Sequence, residues 1–168
     1  MTGLPAALMI ALAVLALAAL VFALWPRQRR PLAVLDGSNV MHWKDGKPRL
    51  ETLAEVLRHV EARGYDAGII FDANAGHLLA GRYMHDHHFR KALNLRGDRV
   101  MVVPKGQQAD PFLLRYASAN RAVIVSNDRF RDRIADHPDL AQPGRIIRGG
   151  WRDGALWLDL PQNAQGRR

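Results

Sequence analysis

Leu32-Ala33-Val34-Leu35-Asp36-Gly37-Ser38-Asn39 decides the reading of this chain, because four apolar residues run straight into an acid and a set of turn formers. A short apolar run bounded in this way reads as a buried parallel strand, and here it delivers a carboxylate to the strand's end. The pattern returns downstream. Ala67-Gly68-Ile69-Ile70-Phe71 stops at Asp72, Val100-Met101-Val102-Val103 stops at Pro104-Lys105-Gly106, and Ala122-Val123-Ile124-Val125 stops at Ser126-Asn127-Asp128. Helical spacing fills the intervals. Leu50, Leu53, Ala54, Leu57 and Val60 share one face, with Gly64 placed to close that helix. A less regular helical stretch lies between His77 and Leu95, and a short helix over 110–119 has Asp110 at its start. Parallel neighbours need crossover connections, so this alternation predicts an α/β fold, an open parallel sheet with helices on both faces. After the fourth strand the pattern changes. Ile146-Ile147 and Leu156-Trp157-Leu158 flank Arg152-Asp153-Gly154, whose Asp-Gly is a hairpin turn signal, predicting a short antiparallel addition at the sheet edge.

The 168 residues allow one domain of ordinary size, and the absence of cysteine excludes a disulfide scaffold, a thiolate zinc site and a cysteine nucleophile. Upstream of the first strand, residues 3–25 are 23 positions without a charged side chain, and only Gly3 and Pro5 fall outside the apolar set. At 1.5 Å per residue about 20 of them span a hydrocarbon core of roughly 30 Å, which predicts a transmembrane helix. A cleavable signal peptide has a positive beginning and a shorter apolar run. Here Met1-Thr2-Gly3 carries no side-chain charge, and the cations Arg27, Arg29 and Arg30 follow the run instead. By the positive-inside rule these arginines hold the C-terminal side in the cytoplasm, with Trp25 at the interface. The expected organisation is a single-pass membrane protein: a transmembrane anchor and basic linker over 1–31, a cytoplasmic domain over 32–160, and a polar tail over 161–168. Formal net charge is +8, and without those three arginines 21 basic residues still face 16 acidic ones, a net +5. That excess is compatible with a polyanionic partner and equally with a surface near anionic lipid.

In an open α/β sheet the ligand site lies beyond the carboxyl ends of the strands. Asp36, Asp72 and Asp128 stand at three such ends, and Asp110 opens a helix on the same edge. Asp132 follows Asp128 at i+4, which puts both carboxylates on one face if a helix begins there. Each acid alone at a helix start reads more readily as a cap than as a ligand. Together they repel one another unless a cation intervenes, and hard divalent ions with oxygen ligands, Mg²⁺ or Mn²⁺, suit such a set. Phosphate hydrolysis is the chemistry that follows. There is no Gly-x-x-x-x-Gly-Lys-Ser/Thr segment, so a P-loop is excluded.

Asp36-Gly-Ser-Asn39-Val, Val-Pro-Lys-Gly-Gln-Gln-Ala-Asp110 and Val-Ser126-Asn127-Asp128-Arg-Phe-Arg-Asp132, in this order and spacing, resemble the NYN ribonucleases of the PIN-like superfamily, in particular the regnase-like branch. The resemblance covers roughly residues 32–160 and implies a PIN-like fold. It implies that Asp36, Asp110 and Asp128 bind metal, that Asn39 helps line the site and that Asp132 contributes. The chain departs from the pattern at Ala109-Asp110, where regnase-like proteins often have two adjacent acids. It also lacks the Cys/His finger that some relatives carry.

Beside these acids, Arg129, Arg131 and Arg133 alternate next to Asp128, and Lys105 and Gln107 precede Asp110. They read as RNA phosphate contacts or as ordinary surface polarity. His85, His87 and His88 lack finger-like spacing and read as a solvated helix face or a phosphate-contacting patch. Asp72, with Asn74 and His77, faces the same edge without a clear role in the family pattern. His42 and Trp43 either stack a base or cover the first helix. The expected function is a membrane-anchored, Mg²⁺- or Mn²⁺-dependent endoribonuclease acting on single-stranded RNA. The alternatives are a catalytically weak, membrane-tethered RNA-binding or scaffold module, and a phosphatase or nucleotidase.

Overall fold

The computed structural model describes residues 14–17, 20 and 30–160. β1 (Leu32–Asp36) runs into a single helical turn, α1 (Gly37–Val40), then α2 (Leu50–Ala62) and β2 (Asp66–Phe71). Two short helices, α3 (Ala75–Ala80) and α4 (Asp86–Ala92), lead to β3 (Val100–Val102). α5 (Asp110–Asn120), β4 (Val123–Val125), a 3₁₀ turn at Ile134–Asp136 and β5 (Ile146–Ile147) follow, and the hairpin β6 (Gly149–Arg152) and β7 (Ala155–Leu158) comes last. The five strands of the main sheet pair in parallel in the order β3-β2-β1-β4-β5.

Side-chain alternation along the strands builds a core on each face, as a doubly covered sheet requires. Ala33, Leu35, Ile69, Phe71, Val100, Val102 and Val125 pack with Leu53, Val56 and Val60 of α2 and Phe89 of α4. Val34, Ile70 and Ile124 point the other way, onto Leu113, Leu114 and Ala117 of α5. Phe71 and Phe89 stack at 4.0 Å between ring centroids, fixing α4 against the sheet.

Three local expectations change. The stretch between His77 and Leu95 is two helices, because Gly81 adopts φ +67° and ends α3, and the chain restarts at Asp86. Asp86 Oδ1 then accepts from Val102 N at 2.8 Å, fastening α4 to the edge strand. Ile146 and Ile147 belong to the main sheet as its fifth parallel strand, since one side chain enters each core. The hairpin is therefore a separate two-stranded sheet, turning at Asp153 (φ 51°) and Gly154 (φ 75°), a pair suited to a primed turn. No helix begins at Asp128. Phe130 takes φ +49° and buries its ring, so the chain turns and Asp132 is not carried one helical turn beyond Asp128.

Among the described residues no helix is long and apolar enough to cross a membrane. The anchor expected over 1–31 lies almost entirely outside the described residues, and the polar tail over 161–168 lies wholly outside them.

Candidate active site

Strand order reverses between β1 and β4, and an open α/β sheet has its ligand crevice at that point. Asp36 ends β1 there, 5% exposed. Its Oδ1 accepts from Asn39 N at 3.1 Å, capping α1, and its Oδ2 accepts from Ser126 Oγ at 2.9 Å. α1 can start this close to β2 only because residue 37 is glycine: a Cβ there would stand 2.6 Å from the Phe71 ring and 2.9 Å from Ile69. Burial pushes the Asp36 carboxyl up to about 7, opposed by the bonds from Ser126 and Asn39 and reinforced by the charges of Asp110 and Asp72. The capping reading of this acid is thus correct and incomplete, since a cap alone needs no burial.

Ser126, fully buried, links two strand ends. Its hydroxyl donates to Asp36 and accepts from Asp128 N at 3.1 Å, while Asp128 Oδ1 accepts from Phe130 N at 2.8 Å. Asn39 Oδ1 accepts from Trp43 Nε1 at 2.7 Å and from Asn127 N at 3.0 Å. Asn127 in turn exchanges side-chain bonds with Gly149, donating to its carbonyl at 2.9 Å and accepting from its N–H at 3.2 Å. The hairpin is braced against the site by this pair. Ser126 and Asn127 were visible in the sequence only as letters of a motif. What marks Ser126 physically is an inward-facing hydroxyl one residue past an all-apolar strand.

Asp110 is the first residue of α5, with Ala109 as the cap and Pro111 next, so its side chain is free of capping duty. Desolvation raises its carboxyl above the ordinary value, the charges of Asp128 and Asp72 add to that, and Arg133 opposes them. Asp72 joins the cluster electrostatically. It also holds the loop in place: its N–H donates to Ser38 Oγ at 2.8 Å and its Oδ1 accepts from Ala109 N at 2.8 Å. Arg133 donates to Gln108, tying the arginine segment to the loop before α5. Arg129, Arg131 and Lys105 are exposed, as is Asp132, which no described interaction draws to the other acids. Trp43 is half-buried, packed against the core and donating to Asn39. The imidazoles of His85, His87 and His88 stack on one another, and His88 Nδ1 accepts from His85 N at 3.1 Å, a helix-start arrangement.

Among the described residues no three His, Asp or Glu side chains close into a group able to hold an ion, although the charges of Asp110 and Asp72 reach Asp36 and those of Asp128 and Asp72 reach Asp110. The donor set is all oxygen, the type hard divalent cations take. Mg²⁺ needs only one or two carboxylates beside waters and substrate phosphate, so an open acid edge suits it better than a closed cage.

Fold and site together define an α/β domain with a parallel sheet and an acid-lined carboxyl edge. Residues 29–168 match the family model of the Zc3h12a-like ribonuclease NYN domain, and the chain belongs to that family. No curated protein matches. Among solved structures, the chain is similar to Arabidopsis thaliana nuclear protein-only RNase P 2 (PRORP2), at 20% identity and TM-score 0.59, covering 90% of this chain and 35% of that one. A crystal structure of the same A. thaliana protein gives 18%, 0.60, 91% and 36%. The PIN domain endonuclease Utp24 aligns at 10% identity and TM-score 0.38, over 79% of this chain and 93% of that one. At such identities the RNase P likeness is one of fold, and the chain spans only 35–36% of the length of those proteins.

Proposed function

We propose that this chain is a divalent-metal-dependent endoribonuclease that hydrolyses phosphodiester bonds of single-stranded RNA, held by its N-terminal segment at the cytoplasmic face of a membrane. The observation that carries the reading is the Asp36 carboxyl, buried at the reversal of strand order, pushed up to about 7 and facing the like charges of Asp110 and Asp72. Such groups cost folding stability and cluster where proteins bind cations or do chemistry. Family membership supports RNA as the substrate.

Asp36, Asp110 and Asp128 would hold Mg²⁺ or Mn²⁺, with Asn39 lining the site; Asp132, exposed and turned away from the helical position expected for it, is left out of the set. An ion held there would supply an activated water for in-line attack on phosphorus and would offset charge on the leaving oxygen. Ser126 and the Asn39 N–H fix the direction of the Asp36 carboxylate. Arg133 balances part of the acid charge beside Asp110, and Arg129, Arg131 and Lys105 take backbone phosphates. An unstacked strand follows such an edge more readily than a duplex does.

The deciding experiment is a gel assay on end-labelled single-stranded RNA with the full-length protein in detergent. Internal cuts are expected with Mg²⁺ or Mn²⁺, none in EDTA, and recovery when metal is returned. No turnover with either ion removes the enzyme and leaves the tethered RNA-binding module. That alternative has one observation in its favour, the backbone bonds that Asp72 and Asp128 accept. Phosphate released from mononucleotides would instead indicate a phosphatase. For the arginines, replacing Arg129 and Arg131 by Ala should weaken binding to all sequences alike and lower the salt slope by about 0.7 for each phosphate no longer neutralised. An unchanged slope makes them ordinary surface charge. The membrane placement predicts that a C-terminal reporter is active in the cytoplasm only, and that mature protein keeps residues 1–25; a shortened mature chain refutes it.

A further inference from the structure

The acid edge continues past Asp72 into a cleft of about 740 Å³ of whose lining the proposed chemistry uses only Lys105. Asp72 forms the wall shared with the acids. Asn74 and His77 line it from the segment after β2, Tyr83 from the turn between α3 and α4, and Lys105 and Gln107 from the loop after β3. The volume lies in the range of small-molecule sites and holds a base with its sugar. On the Tyr83 side the residue is 37% exposed, the His85 ring meets its ring edge-on at 4.8 Å, and the His77 ring stands 6.5 Å away. Asn74 and Gln107 each offer a donor and an acceptor on one amide, the pairing that reads a base edge, and Lys105 offers a cation for a phosphate.

We propose that this cleft is a nucleobase subsite, taking the unpaired base of the nucleotide beside the cleaved phosphate, stacked on Tyr83 and read by Asn74 and Gln107. It rests on the RNA-cleaving reading above and adds to it where base preference arises. The argument is one of continuity and chemistry. Asp72 feels both places, adding its charge to Asp36 and Asp110 while lining the cleft, so a strand whose phosphate lies at those acids has beside it a concave surface with an aromatic face, two amides and a cation. The loop from Pro104 to Gln108 joins the two places, since Gln108 bonds Arg133 while Gln107 lines the cleft.

The test separates binding from cutting. Fluorescein-labelled oligo(A), oligo(C) and oligo(U) RNAs are titrated into the full chain in EDTA, and a randomised single-stranded RNA is then cut in Mg²⁺ and its ends sequenced. Loss of one stacked base corresponds to about 5- to 150-fold in affinity, so Tyr83→Ala should weaken the best-bound homopolymer by that factor while Tyr83→Phe keeps it. Asn74→Ala with Gln107→Ala should level the differences among the three RNAs and flatten the base preference among the cuts that are made. If Tyr83→Ala melts early, this double variant decides alone. A folded Tyr83→Ala that binds as wild type, or a preference unchanged in the double variant, overturns the subsite. Wild type that binds through Tyr83 in EDTA yet cuts nothing leaves the subsite standing and ends the nuclease reading. Wild type that cuts while Tyr83→Ala binds undiminished does the reverse.

Discussion

Asp36→Asn should make the metal-free protein more stable at pH 8 while abolishing its cleavage of RNA. The carboxyl sits at about 7 in the fold against an ordinary 3.8. Between those values the unfolded chain has already released a proton that the folded chain still keeps, so stability falls as pH rises from about 4 to about 7. That gap corresponds to an upper bound on the order of 4 kcal/mol at pH 8. Asparagine never ionises, still accepts from Asn39 N, and can turn its amide N–H₂ toward Ser126 Oγ. Thermal melts in EDTA should therefore fall less with rising pH for the variant than for wild type, the two being level near pH 4 and the variant above at pH 8, with Asp110 supplying the fall that remains. With Mg²⁺ present, cleavage should drop by about 10³-fold or more, the scale of several kcal/mol of lost transition-state stabilisation. A variant that melts lower than wild type at pH 8 would mean that the two hydrogen bonds to the carboxylate outweigh its burial.

The second large effect is expected at Asp110, where charge and position are separable. As the first residue of α5, preceded by its cap Ala109, Asp110 makes no described capping bond for Asn to lose. Asp110→Asn removes a like charge from the neighbours Asp128 and Asp72, so the apo protein should melt no lower than wild type. The small N-terminal preference of a helix for an acid opposes this by less than about 1 kcal/mol. Activity should collapse, and Mg²⁺ should protect the two proteins differently. A hundredfold excess over Kd stabilises wild type by about 2.7 kcal/mol, and the variant should gain much less. The measurements are melts of the full chain in EDTA and in excess Mg²⁺, beside the gel assay. Normal cleavage by Asp110→Asn would remove Asp110 from the ligand set. Loss of cleavage explained by unfolding in EDTA would make its role structural.

How far the sequence carries depends on the distance over which each feature is decided. The first four strands were legible because each is an apolar run cut off by turn formers, a local pattern that burial on both faces imposes. β5 was not, since two isoleucines are too few to show a period, and only their pairing with Ile124 and Val125 makes them a strand. The break at Gly81 and the turn at Phe130 escaped for a related reason: both are left-handed residues whose conformation is set by what the next segment must reach. At the site, Asp36, Asp110 and Asp128 were marked by strand ends and by motif. The hydroxyl of Ser126 joining two of them depends on β1 and β4 being neighbours, which no spacing within either strand records. Asp132 was placed by a helical period that the chain does not follow.

The direction of β1 has a consequence for a tethered enzyme. All five strands of the main sheet run the same way, so the domain has two poles, one of strand beginnings and one of strand ends. The segment that precedes Leu32 enters at the first pole, beside Asp66, and Asp36 lies four residues farther along β1, roughly 13 Å at the rise of a parallel strand. On the proposed topology the bilayer is moored to the centre of the sheet at the pole opposite the acids. A membrane attachment at that end would leave the acid pole on the far side of the domain from the lipid headgroups, where an RNA would reach it from the aqueous side.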